Sequence, residues 1–275
     1  MTDLGSRLVR VGAQLARRLE AVSGLRGRVH SVFARAVNIE WSDGEWSDGE
    51  WSDGSLLALH PPGPLLAPFA AAVDDPEVLR ALRPGMPVVV EIRRLRAPGL
   101  VLSWERATRV DCAAARNPAL PPPARPGGHA RGLDSPGGVG ARAALADGIG
   151  RRDTARLIAG AWALLGLGEG LTPAGDDCLV GALAVLHAVD PAPLTRAPAT
   201  AGAIAEAARA RTTAIGREFV LHALAGRFSE PVLAVLRARS VPESARAAAR
   251  LAALGATSGA DTLGGMRLAW DALAA

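Results

Sequence analysis

The stretch NPALPPPARPGGHARGLDSPGGVG, residues 117–140, divides the chain into two halves of different character. Its prolines withhold backbone donors and its glycines raise the entropic cost of order, so neither helix nor sheet is expected to run through it. It reads as a linker or long surface loop over 116–140. Upstream, VHSVF (29–33), AVNI (36–39), SLLAL (55–59), PVVVEIRRL (87–95) and LVLSWERATRV (100–110) combine β-branched residues with period-two stretches between proline and glycine breaks. That pattern predicts a β-rich domain over 23–115. Downstream, alanine and leucine recur at helical spacing over 141–165, 173–189, 199–225, 229–239, 242–254 and 261–274, which predicts an all-helical domain over 141–275. The fold class is therefore α+β, an N-terminal β-rich domain followed by a C-terminal all-helical domain. Ahead of the strands, MTDLGSRLVRVGAQLARRLEAV (1–22) alternates arginine with apolar residues and reads as an amphipathic helix.

With 275 residues, 49% of them hydrophobic, the chain can bury a substantial core. A net charge of +4 and a pI near 10.5 suggest a nucleic-acid partner at first sight. All 31 basic residues are arginine, however, and tyrosine is absent, so a small positive excess drives the calculated pI high. The arginines are also scattered instead of forming a basic face, so no nucleic-acid partner is expected. Cys112 and Cys178 are too few and too far apart for a disulfide framework or a zinc site, which fits a reducing cytoplasm. The first 22 residues lack the continuous apolar core of a signal peptide, and Asp3 and Glu20 count against a transit peptide. The longest apolar run, 157–168, is too short and too rich in glycine to span a bilayer, so no membrane role is expected.

Between two predicted strands lies EWSDGEWSDGEWSDG (40–54), three copies of a five-residue unit. One copy would make a hairpin turn around its Asp-Gly, and the others read as a polar extension with exposed tryptophans. Its acidic spacing does not match an EF-hand loop, so it is given no catalytic role.

The chemistry points instead to GLGEGLTPAGDDCLVG (166–181). Thr172 has the side chain of an N-cap, Pro173 suits the first helical position, and Asp176 and Asp177 fall in the opening turn. Gly166, Gly168 and Gly170 allow positive φ and let a ligand approach the backbone, while the N–H groups at the helix start can bind an anion. The spacing Gly170-x-Thr172-x-x-x-Asp176 is echoed by Gly255-x-Thr257-x-x-x-Asp261 in GATSGADTLGG (255–265). If the two helix beginnings pack together, they converge donors and carboxylates on one cleft. Asp176 and Asp177 are the candidate catalytic pair. They would repel a phosphate unless a divalent cation such as Mg2+ bridges them, or unless they bind an amide N–H or remove a proton. No Walker lysine is present, which excludes a P-loop. Arg211 with Thr212 and Thr213 can hold a carboxylate, although a solvated helix arginine fits the pattern equally. The histidines, His30 among them, read as structural.

These segments resemble the AllH-like subunit family of oxamate carbamoyltransferase, whose hallmark is Gly-Leu-Thr-Pro-Ser-Gly-Asp-Asp; here Ala174 replaces the serine. The resemblance continues in VHSVFARAVNI (29–39), RTTAIGREFVLHALAGRF (211–228) and GATSGADTLGG, and covers most of residues 25–275. In the middle segment the family usually has serine where Gly216 stands. The resemblance implies transfer of a carbamoyl group between oxalurate and phosphate in allantoin breakdown, with partner subunits. It thus implies a small carboxylate or carbamoyl substrate and phosphate, held by Gly168, Gly170, Thr172, Gly175, Arg211, Thr212, Thr213, Thr257, Ser258, Gly259 and Asp261. A metal-dependent hydrolase acting through Asp176 and Asp177, and a non-catalytic helical scaffold, are the alternatives that the residues leave open.

Overall fold

In a computed structural model the chain is described over residues 4–42, 54–63, 66–127, 131–195 and 198–275. It divides into two compact units, Met1–Cys112 and Ala113–Ala275.

The first unit is a β-barrel. Its strands are β1 (Leu4–Gly12), β2 (Arg26–Phe33), β3 (Ala36–Trp41), β4 (Leu56–His60), β5 (Ala70–Val73), β6 (Pro87–Glu91), β7 (Arg94–Ala97), β8 (Leu100–Ser103) and β9 (Thr108–Val110). They follow the order β5-β4-β3-β2-β6-β7-β8-β1-β9, and a further β1–β5 pairing closes the first eight into a ring. β1 carries the closure. Leu4 to Arg7 pair with β8, Leu8, Arg10 and Val11 pair with β5, and Arg10 to Gly12 also pair with β9. Closing the ring removes the unpaired edges that an open sheet would expose. The interior is filled by Val29, Ile39, Leu57, Leu59, Val88 and Leu95, all within 1% of full burial.

Helix α1 (Ala13–Ala21) follows β1 and buries Leu15, Ala16 and Leu19. The amphipathic helix expected over 1–22 is thus corrected, because its first half is strand. The apolar positions Leu4, Leu8, Val11 and Leu15 fit a helical stripe, yet partners on both edges of β1 override that local preference. β5 is a second strand without a sequence signal, since AAAV (70–73) carries little β propensity. Of the repeated units, residues 43–53 lie outside the described residues. Their ends are pinned by Trp41 N to Ser55 O (3.1 Å) and Gly54 N to Trp41 O (2.9 Å). Trp41, expected to be exposed, is only 1% exposed.

The second unit is helical: α2 (Arg131–Asp134), α3 (Pro136–Gly150), α4 (Thr154–Leu164), α5 (Ala174–Val189), α6 (Ala192–Thr195), α7 (Pro198–Arg211), α8 (Ala214–Leu224), α9 (Glu230–Leu236), α10 (Val241–Ala252) and α11 (Ser258–Ala274). Two expected helices are each split. Asp153 caps α4 through Arg156 N, and Thr213 caps α8 through Gly216 N, so side-chain caps break the runs 141–165 and 199–225. The linker expected over 116–140 is also corrected. Ser135 caps α3 with Pro136 at its first position, and α3 runs through the glycines. Residues before it strap across the helices instead of hanging free. Asn117 Nδ2 donates to Leu236 O and Ala238 O, Trp270 Nε1 to Leu120 O, and Arg267 to Pro123 O. Proline carbonyls remain acceptors even where the ring removes the donor, so such a segment can be held by side chains.

α5 is the centre of this unit, buried on every face apart from His187 and Val189. Whatever charge the sequence places at its start is therefore buried too. Among the described residues, no helix is long and apolar enough to cross a membrane.

Candidate functional site

α5 begins at Ala174, with Pro173 as N-cap and no side-chain capping bond, so Thr172 is not the cap that its sequence position suggests. Its hydroxyl points elsewhere and donates to Ser258 Oγ at the start of α11 (3.4 Å). The two helix beginnings therefore meet, as the echoed motifs lead one to expect. α11 itself starts at Ser258, three residues earlier than its apolar run, and Thr257 stands at its N-cap without a side-chain bond.

Glycines set this meeting. A Cβ on Gly181 would collide with Thr262 O, and a Cβ on Gly265 would collide with Cys178 O, so α5 and α11 touch backbone to backbone. A Cβ on Gly175 would collide with Leu164 O, while its N–H donates to Leu167 O (2.8 Å). Gly259 repeats this on α10: its Cβ would collide with Leu251 O, and its N–H donates to Leu254 O (3.1 Å). The equivalence is thus Gly175-x-Asp177-x-x-x-Gly181 with Gly259-x-Asp261-x-x-x-Gly265. Asp261 is the counterpart of Asp177, one residue from the Asp176 match that the Gly-x-Thr spacing suggests. Reciprocal contacts of this kind mark a local two-fold relation.

The two adjacent aspartates have different surroundings. Asp176 is 1% exposed, and both its oxygens are occupied: Oδ1 accepts from Gly166 N (2.8 Å) and Oδ2 from Thr212 Oγ1. Burial raises its pKa, and those two bonds oppose the rise. Gly216 presses on the same carboxylate, because a Cβ there would collide with Asp176 Oδ2. Asp177 is 6% exposed, and its Oδ2 is buried without a hydrogen-bond partner among the described residues. Burial pushes its pKa well above the usual carboxylate range; Asp261 and Asp176 add to the rise, while the Ser258 and Thr172 hydroxyls oppose it. Asp261 is fully buried beside them. Burial also pushes the neighbouring Cys178 thiol up to about 12, which leaves it inert as a nucleophile at neutral pH.

The remaining candidates fall around this junction in different roles. Gly168 and Gly170 have φ of +111° and +97° and form an exposed loop with Leu171. Thr213 caps α8 and donates to Leu171 O, tying that loop down. Arg211 turns outward: its guanidinium stacks 3.6 Å from the Trp162 ring, and its Nε donates to Trp162 O (3.2 Å). The N–H groups of Asp176 and Asp177 are taken by Pro173 O, which leaves fewer donors at the α5 mouth than a bare helix start would offer an anion. A Mg2+ bridge between Asp176 and Asp177 finds no fit in this donor set, because Asp176 has given both oxygens to protein donors. Among the described residues, no group of three or more His, Cys, Asp or Glu side chains is arranged to hold a metal ion. His30 is exposed with Nδ1 3.1 Å from Ser31 Oγ, and His187 packs edge-on to Phe228.

The chain thus combines a β-barrel unit with a helical unit that carries two glycine-aspartate helix beginnings. Residues 7–112 match the AllH family N-terminal domain, and residues 164–270 match the oxamate carbamoyltransferase subunit AllH. The chain belongs to the AllH family of oxamate carbamoyltransferase subunits. Neither a curated protein nor a solved structure matches it.

Proposed function

We propose that this protein acts within a multi-subunit oxamate carbamoyltransferase, moving a carbamoyl group between oxalurate and phosphate, and that the junction of α5 and α11 handles the small carbamoyl substrate. The observation that carries the reading is the orphaned Oδ2 of Asp177, buried where the two motif segments meet. An unpartnered buried carboxylate oxygen costs stability, and a ligand donor that reaches it would offset that cost.

The chemistry suits such a group. When phosphate attacks the ureido carbonyl of oxalurate, the C–N bond breaks and the departing amide nitrogen needs a proton. A carboxyl group held protonated by burial can give that proton, and takes it back when oxamate nitrogen attacks carbamoyl phosphate in the reverse direction. Asp176, with its oxygens bonded to Gly166 and Thr212, serves as a positioning residue that ties the glycine loop to the turn between α7 and α8. The partner subunits would supply the cationic groups for phosphate.

Reconstitution tests this. The chain is combined with the products of neighbouring genes and assayed with oxalurate and phosphate. Activity is expected to require this chain, and Asp177→Asn is expected to lower kcat by about 100-fold, within the usual range for a lost acid–base group. Full turnover without the chain, or with Asp177→Asn, would remove the reading.

A further inference from the structure

The two-fold relation between the motif segments fixes the polarity of whatever binds at their junction. The groups that bear on Asp177 are the carboxylates of Asp261 and Asp176 and the hydroxyls of Ser258 and Thr172, with no basic side chain among them. An anionic group brought to that point finds acidic side chains and hydroxyls but no basic side chain acting on Asp177 among the described residues, so nothing there pairs with its charge. A planar N–H donor meets an open acceptor instead. The Ser258 and Thr172 hydroxyls bond the Asp177 carboxylate, while its Oδ2, on a residue 6% exposed, has no partner among the described residues and points to such a donor.

The two halves are not equal. Ser258, the first residue of α11, corresponds to Ala174, the first residue of α5. A hydroxyl therefore stands beside Asp177, whereas the matching place in the other half carries a methyl group. We propose that Asp177 Oδ2 accepts an N–H of a primary amide, so that the substrate binds with its amide end toward Asp177 and its acidic end away from it. This rests on the carbamoyl-transfer reading for the choice of amide, although the binding polarity is measurable without turnover.

Oxamate and oxalate make the test, because they share one carboxylate and differ by NH2 against O−. Calorimetric titration of the full chain is expected to give binding of oxamate at least tenfold tighter than oxalate. Asp177→Asn, which replaces one carboxyl oxygen by an NH2 that only donates, is expected to abolish that preference. Asp177→Glu, which keeps an acceptor, is expected to retain part of it, and circular dichroism checks the folding of both. Equal binding of the two ligands, failure of both to bind, or an unchanged preference in folded Asp177→Asn would overturn the proposal. A chain that discriminates oxamate from oxalate yet is dispensable for transfer would keep this inference and remove the reaction assigned above.

Discussion

Asp177 sits where its charged form costs stability. Its folded pKa is raised, so the charged form is disfavoured in the native state. The cost is absent below the pKa of the unfolded chain and grows as pH rises through the window up to the folded value. Asp177→Asn is therefore expected to raise the melting temperature at neutral pH, equivalent to about 1–3 kcal/mol, with the gain shrinking toward zero in acid. Thermal unfolding of both forms across a pH series checks the sign. Asp74 in the barrel behaves oppositely. Bonds from Ser6 Oγ and the Arg7 backbone hold its pKa down to about 2, so its contribution persists from neutral pH into acid and is lost only as pH falls toward that value. Gly216 offers a third residue-scale test, since a side chain there presses on Asp176 Oδ2. Gly216→Ser is expected to destabilise by about 1–3 kcal/mol in denaturant unfolding, as overpacking does. The family serine at this position thus needs a shift of Asp176 or Thr212 that this chain has not made.

At the scale of elements, the contact of α5 with α11 depends on two glycines that face each other's backbone. Gly181→Ala or Gly265→Ala would force the helices apart and is expected to cost at least about 1–3 kcal/mol. Gly170→Ala meets open space but retains a positive φ, so its cost is expected near 1 kcal/mol. Denaturant titration of the three variants ranks them. The helices, most strands and the meeting of two motifs were legible in the residues because their signals are local: periodicity, breaks, Gly-Thr-Asp spacing. What was not legible arises from tertiary partners. β1 is a strand because β5, β8 and β9 surround it, and Thr172 reaches Ser258 instead of capping because Pro173 takes the cap position. The Asp177–Asp261 equivalence was hidden by a loop before α5 that is longer than the loop before α11, which brought Asp176 into apparent alignment. The difference between Asp176 and Asp177 was out of reach for the same reason, since Thr212 and Gly166 lie in other elements.

For the molecule as a whole, the unit boundary at Cys112 and the proline strap after it decide where the chain can be cut. A fragment over 113–275 keeps the bonds from Asn117, Trp270 and Arg267, whereas one over 141–275 loses them together with α2 and the first turn of α3. The longer fragment is expected to unfold cooperatively, and the shorter one at a clearly lower temperature or not cooperatively at all, as read by calorimetry.

The paired helix beginnings have one more consequence. Two identical chains joined about a symmetry axis must change both copies of a position at once. Here both copies lie on a single polypeptide, so Ala174 and Ser258 can differ, and each half is free to specialise. A change at one helix beginning therefore leaves its counterpart as it stands, a freedom that a homodimer with the same symmetry lacks.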